Sequence, residues 1–204
     1  MMNYCFPYEK TQKFTFESAA MILQNIVSQL ENHPTIDEVG AMHLQDTVDF
    51  VSRNSDHFWR RTNHSGHITA SAFVVNKEHS HALMLHHAKL NKWLQPGGHI
   101  DDSDLNPAAA ARRETEEETG ATILSGDSSM LFDVDVHPIP ERHKFGTLEP
   151  AHLHYDLRFL LVAASAEITI SDESFGFRWV PLAALAVGKV ECGIARMARK
   201  LLNR

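Results

Sequence analysis

Cysteine is scarce in this chain: Cys5 and Cys192 are the only two, and they lie near opposite ends. Such a pair makes neither a disulfide framework nor a closely spaced thiolate metal site, so a reducing compartment is the simpler setting. No stretch has the length and apolarity of a membrane span. Residues 1–10 have no basic patch leading into an apolar run, so they do not read as a secretory signal, and the expected location is the cytoplasm. Cationic side chains are in the minority too, 19 Lys and Arg against 26 Asp and Glu, for a net charge of -7. Broad binding to nucleic acid needs the opposite balance. Internal repeats and low-complexity linkers are also lacking.

What is present is an ordinary globular composition. With 204 residues, 43% of them apolar, the chain can bury one sizeable core, alone or with a smaller helical partner. From Phe16 onward, Ala19, Ile22, Leu23, Ile26, Val27 and Leu30 recur at three- and four-residue spacing, which predicts a helix with one buried face. Pro34 ends it. Thr35 with Glu38 forms a capping box for a second helix running to Phe50 or Val51. Residues 67–75 (HITASAFVV) and 81–86 (HALMLH) then read as a strand hairpin, followed by a Pro-Gly-Gly turn at 96–98. Pro107 and the alanine run after it open a helix that Gly120 should close. Residues 130–137, 152–162 and 177–180 read as strands, and Ile194, Met197, Ala198, Leu201 and Leu202 mark a last helix. Helices first, then a mixed core, give an α+β class.

The chemistry concentrates on the helix after Pro107. Glu114, Glu117 and Glu118 stand at i, i+3 and i+4, so their carboxylates share one face. Like charges at that spacing repel, and Glu118 sits near the C-terminal end, where the helix dipole disfavours an anion. The plain alternative is a solvated acidic face. A hard divalent cation offsets the cost: magnesium, with manganese as the alternative, takes carboxylate oxygens and keeps waters for a phosphate substrate. The Gly97-Gly98 pair lets backbone approach closely and can offer a carbonyl to the same ion.

With those residues in view, the sequence resembles the Nudix hydrolase family. Its signature runs glycine, five residues, glutamate, seven residues, then Arg-Glu, a hydrophobic residue, any residue, Glu-Glu, any residue, Gly and a hydrophobic residue. Residues 113–121 (RETEEETGA) match the second half, with Thr115 and Ala121 at the hydrophobic positions. The first half departs: Gly98 lies one residue too far from Arg113, and Asp102 or Asp104 stands in for the early glutamate. In the family that acid pairs with the arginine. The resemblance covers about residues 67–187, including Arg178-Trp179-Val180-Pro181-Leu182 as a closing strand and turn.

It implies an α/β/α sandwich with a mixed sheet over 61–204. Residues 1–60 lie outside the resemblance and read from their periodicity as a helical extension, expected to shape a pocket or a homodimer contact. The resemblance also implies hydrolysis of a phosphate anhydride in a small nucleoside diphosphate derivative. Glu114, Glu117, Glu118 and a carbonyl of Gly97 or Gly98 would hold the metal, and Arg113 would orient the loop. Glu114 would be the candidate base, with the late acid Glu173 as a second. Two other readings share the fold. A binding or regulatory module without turnover usually loses one of the three glutamates, and all are present. An isopentenyl-diphosphate isomerase needs a core cysteine, and neither cysteine is placed for it.

One more pattern stands out. Asp133, Asp135 and His137 alternate with apolar neighbours, as do His152, His154, Asp156 and Arg158, so each polar set shares a sheet face. The plain reading is the wet face of a half-buried sheet. A His-x-His-x-Asp-x-Arg row is unusual there, and it points to phosphate contact or an accessory metal for His137, His152, His154 and Asp156, with Arg158 beside them. His86 and His87, and histidines 33, 43, 57 and 64, are assigned to structure or to the surface.

Overall fold

A computed structural model describes residues 16–55, 58–125, 130–144 and 147–204. Cys5, His57 and the first ten residues lie outside that set. The elements follow in the order α1 (Phe16–Glu31), α2 (Glu38–Arg53), β1 (Gly66–Val75), β2 (His81–His87), β3 (Lys92–Leu94), β4 (Gly97–His99) and α3 (Pro107–Thr119). After them come β5 (Leu131–Ile139), β6 (Arg142–Lys144), β7 (Thr147–Glu149), β8 (His152–Val162), β9 (Ser174–Pro181), α4 (Leu182–Val187) and α5 (Cys192–Leu202).

Strand β1 organises the sheet. It runs parallel to β8 in register from Gly66↔Leu153 to Val75↔Val162, and every one of its residues is buried. A strand flanked on both faces and both edges reads as a near-continuous apolar run, as its second half does. Its other edge divides: β4 pairs at Thr69, Ala70 and Ser71, and β2 pairs only at Val75. The expected β1–β2 hairpin is therefore a single point of pairing, and the Pro-Gly-Gly turn is in fact the entry to strand β4. The remaining order is β3-β2-β1-β8-β5, with β9 on β2.

Side-chain alternation sorts the two layers. Ile68, Ala70, Ala72, Val74, Tyr155, Leu157 and Phe159 face Ile22, Ile26 and Leu30 of α1, Phe50 and Val51 of α2, and Ala110 and Ala111 of α3. Opposite them, Phe73, Val75, Met84 and Phe132 pack on Leu182 and Leu185 of α4 and Ile194, Met197 and Ala198 of α5. This is the helix–sheet–helix sandwich anticipated from sequence. Ile26, Leu30 and Val51 are almost wholly buried, each contributing roughly 1.5–3 kcal/mol of hydrophobic stabilisation. Helix α2 is capped by Asp37, whose carboxylate accepts from the Gly40 N–H at 2.7 Å, so the capping residue is Asp37 and not Thr35. No helix among the described residues is long and apolar enough to cross a membrane.

Candidate active site

The loop from β4 to α3 sets the geometry. Gly97 has φ of +154°, and a Cβ there would fall 2.3 Å from that of Ser71, so only glycine lets β4 lie against β1. Asp104 then folds back, its carboxylate accepting from the Asp101 N–H at 2.8 Å. Asn106 caps α3 by accepting from Ala109 N–H at 2.9 Å, Pro107 occupies the first turn, and Gly120 closes the helix at φ +59°.

Arg113 ties this loop together. Its Nε and Nη2 donate to the two oxygens of Asp104 at 3.0 and 2.9 Å. Nη2 also donates to the His99 carbonyl at 3.0 Å, and Nη1 to Glu114 and Glu117, each at 3.0 Å. The two-point pair with Asp104 is the strong contact here, and it holds the guanidinium firmly protonated. Asp104 is buried, whereas Asp102 is exposed and lies 3.6 Å from Arg60. Of the two candidate acids, the structure pairs Asp104 with the arginine.

Glu114 rests against backbone. A Cβ on Gly98 would sit 2.6–2.7 Å from the Glu114 carboxylate atoms, so the missing side chain is the space that carboxylate occupies. Burial pushes its carboxyl upward, against the pull of Arg113. Glu118 is pushed up to about 8, first by burial and then by Glu114, with Glu173 and Glu117 adding to it; the Gly97 N–H, donating to Glu118, works the other way. Glu117 is exposed, as is Glu173, which lies 3.6 Å from Lys89. Glu114, Glu117 and Glu173 thus all act on Glu118, while Glu114 lies at Gly98 and Glu118 takes the Gly97 N–H. Carboxylate oxygens are hard donors of the kind divalent cations take, and here Arg113 bridges Glu114 and Glu117.

The alternating strands divide into two clusters. At one end, β1 and β8 set His67 beside His154 in register, and β5 sets His137 across from His154. Ring centroids of His67 lie 4.7 Å from His154, 5.1 Å from His152 and 5.1 Å from His99; those of His137 and His154 are 5.5 Å apart. Burial and the neighbouring histidines lower His154 to about 2; burial, His152 and Arg61 lower His67 to about 4, so both rings are neutral near pH 7.

Farther along, the face is not wet at all, because α5 covers it. Asp156 accepts from Thr69 at 3.0 Å, from Ser71 at 2.7 Å and from Arg158 Nε at 2.9 Å. Arg158, its side chain 2% exposed, also meets Asp135 at 3.0 Å. Arg196 of α5 donates to Asp133 at 2.7 Å and to the Val134 carbonyl at 2.8 Å. Burial opposes ionisation of Asp135, but Arg158, His137 and His43 outweigh it and hold its carboxyl well below the usual carboxylate range. Asp156 and Arg158, expected from sequence to contact substrate, are both buried in this ion-pair network, and Nη1 of Arg158 has no hydrogen-bond partner there. His33 and His43 are also half-buried: His33 lies 3.2 Å from Lys200, and Nδ1 of His43 lies 3.4 Å from Asp135 without a hydrogen bond.

The model of the NUDIX domain family matches residues 66–201 of this chain. The chain belongs to the Nudix family. The match opens with β1 and ends inside α5, leaving α1 and α2 before it. Comparison with curated protein sequences gives no match. Among solved structures, the chain is similar to a Nudix-family hydrolase from Clostridium perfringens, 26% identical over 67% of this chain and 96% of that one, TM-score 0.48. It is also similar to an Ap4A hydrolase from C. elegans, 17% identical over 67% and 95% of the two chains, TM-score 0.40. A third is the E. coli dihydroneopterin triphosphate pyrophosphohydrolase, 16% identical over 67% and 96%, TM-score 0.46.

Within the Nudix signature, Asp104 explains the irregular spacing. It stands six positions after Gly98, where the early acid belongs, so the extra residue falls between Asp104 and Arg113, an interval that holds Asn106 and the exposed Leu105. His67 and His99 were missed by sequence reading. His67 alternates with Thr69 and Ser71, the signal that could have marked it, but only the parallel β1–β8 pairing brings it to His154.

Proposed function

We propose that this Nudix hydrolase cleaves a phosphate anhydride in a nucleoside diphosphate linked to a further group, with Mg²⁺ or Mn²⁺ held by Glu114, Glu117 and Glu118 and by a carbonyl of Gly97 or Gly98. The observation that carries this reading is the Glu114 carboxylate seated on Gly98 and fixed by Arg113, itself clamped by Asp104. The bound cation supplies charge neutralisation and Lewis acidity at the anhydride oxygens. The protein does the positioning. Asp104 and the His99 carbonyl orient Arg113, Arg113 aims Glu114 and Glu117, and the Gly97 N–H aims Glu118. Glu114 is the proposed acceptor of the attacking water's proton, with Glu173 as the alternative. Water adds to one phosphorus as the bond to the bridging oxygen breaks, releasing two phosphate-bearing products. His137, whose side chain is 40% exposed, is assigned to substrate contact.

The irregular loop is the one feature that favours the rival reading, a Nudix-fold module without turnover. The two-point Asp104–Arg113 pair speaks against it, since the clamp forms despite the extra residue. Incubating the protein with Mg²⁺ and a panel of nucleoside diphosphate derivatives, and following release of monophosphate, tests the proposal. Turnover in wild type that vanishes in Glu117→Gln is the expected result. Turnover that survives that substitution would overturn the metal assignment, and no turnover on any member would favour the rival.

A further inference from the structure

We infer that His67, His152 and His154 form a second metal site, a three-imidazole centre for a divalent transition-metal ion of the zinc class, separate from the carboxylate site. One nitrogen from each ring can be chosen so that all three lie within 4.8 Å of one another. A tetrahedral zinc ion with bonds near 2.0–2.1 Å needs those nitrogens ~3.3 Å apart, so small side-chain rotations close the set.

The hydrogen bonding supports the same reading independently. His67 is only 1% exposed, yet neither ring nitrogen has a hydrogen-bond partner. A buried polar side chain in that condition costs stability unless a ligand meets it. The tautomer of a neutral His152 follows from its contact with the backbone. Its Nδ1 lies 2.8 Å from the Pro150 carbonyl, which only accepts, so Nδ1 carries the proton and Nε2 carries the unshared pair. That Nε2 is buried without a partner, as is Nε2 of His154. A histidine whose far nitrogen donates to a backbone carbonyl is arranged as metal ligands are.

The donor type selects the ion. Imidazole suits zinc, cobalt, nickel and iron, whereas Mg²⁺ prefers the carboxylate oxygens of α3. Three protein ligands leave a fourth position for water or another ligand. The site would also staple β1 to β8, because His67 comes from one strand and His152 and His154 from the other. His99 packs against His67 and His154 while its carbonyl holds Arg113, so occupancy would reach the loop of the carboxylate site.

The test uses the full chain stripped with a chelator and titrated with Co²⁺ in excess Mg²⁺. About one equivalent should bind with the visible absorption of low-coordinate, imidazole-bound cobalt, and Zn²⁺ should displace it. His152→Ala or His154→Ala should weaken Co²⁺ binding by at least ~100-fold, while Glu117→Gln should leave it unchanged. If a histidine variant fails to fold, X-ray absorption on the wild-type cobalt form decides: three nitrogen ligands support the site. Absence of cobalt binding in excess Mg²⁺, an oxygen-only ligand set, or a signal lost in Glu117→Gln and kept in the histidine variants would overturn it. Hydrolysis with Mg²⁺ alone is read separately, so failure of this site and failure of the proposed activity are distinguishable.

Discussion

Gly98→Ala puts the candidate site under its most direct test. The new Cβ would lie 2.6 Å from the Glu114 carboxyl carbon and 2.7 Å from both oxygens, whereas ordinary contact begins near 3.4 Å. Glu114 must therefore retreat by about 0.8 Å, and a misplacement near 1 Å in a catalytic constellation costs on the order of 100-fold. That corresponds to about 2.7 kcal/mol of lost transition-state stabilisation. The fold should hardly notice, because Gly98 has no left-handed backbone and the group that moves is the end of a side chain. A change below about 1 kcal/mol would shift Tm by no more than roughly 2–4 °C.

Gly97→Ala is the matched control. Its Cβ would strike Ser71 Cβ at 2.3 Å and Ser71 Cα at 2.5 Å, at φ +154°, so it should lower Tm by the equivalent of about 1–3 kcal/mol. The assay is kcat/KM with Mg²⁺ on the best panel substrate, beside thermal unfolding of both variants. Gly98→Ala activity within threefold of wild type, or a loss matched by a Tm drop as large as that of Gly97→Ala, would refute the seating of Glu114 on Gly98.

Gly193→Ala should destabilise strongly, since its Cβ would fall 2.1 Å from Nη1 of the buried Arg158; a wild-type Tm would contradict the packing of α5 on that guanidinium. Arg196→Met should cost about 3–5 kcal/mol by leaving the buried Asp133 without its guanidinium, measurable by denaturant unfolding. Burial and Lys200 lower His33 from 6.5 to about 4, so the neutral ring is the folded form. Stability present above pH 6.5 should therefore fall as the pH drops toward 4, and His33→Gln should flatten part of that slope; an unchanged slope would remove His33 from the cause.

Periodic signals carried most of the architecture. Helix α3 was legible from Pro107 to Gly120 because those boundaries are local, a proline in the first turn and a left-handed glycine at the end; the sequence reads Asn106, its cap, only as loop. Strand β8 was equally readable from the polar–apolar alternation of its first half, His152 to Phe159. Pairing was not, since nothing local to His67 tells that β1 runs parallel to β8 rather than making a full hairpin with β2. The same gap hid the fate of Asp156 and Arg158. Alternation gave their face, but only the docking of α5 decides whether that face meets water. The glutamate face was visible because α3 places its members by itself. The loop register was not, because the Asp104–Arg113 pair depends on a fold-back through Asp101.

Arg196 and its neighbours on α5 bear on how the molecule comes apart. Arg196 lies 3.9 Å and Arg199 3.6 Å from Asp37, the residue that caps α2, while Lys200 meets His33 and the Pro34 carbonyl. From the other side, Gln29 of α1 accepts the Leu131 N–H of β5 at 2.7 Å. The first and last helices of the described chain thus share one seam along the edge strand. Fraying of α5 would uncap α2 and expose the edge of β5 in the same event. Amides of α2, β5 and α5 should then exchange with deuterium as one cooperative unit, so that the leading helices are coupled to the catalytic domain through its final turn.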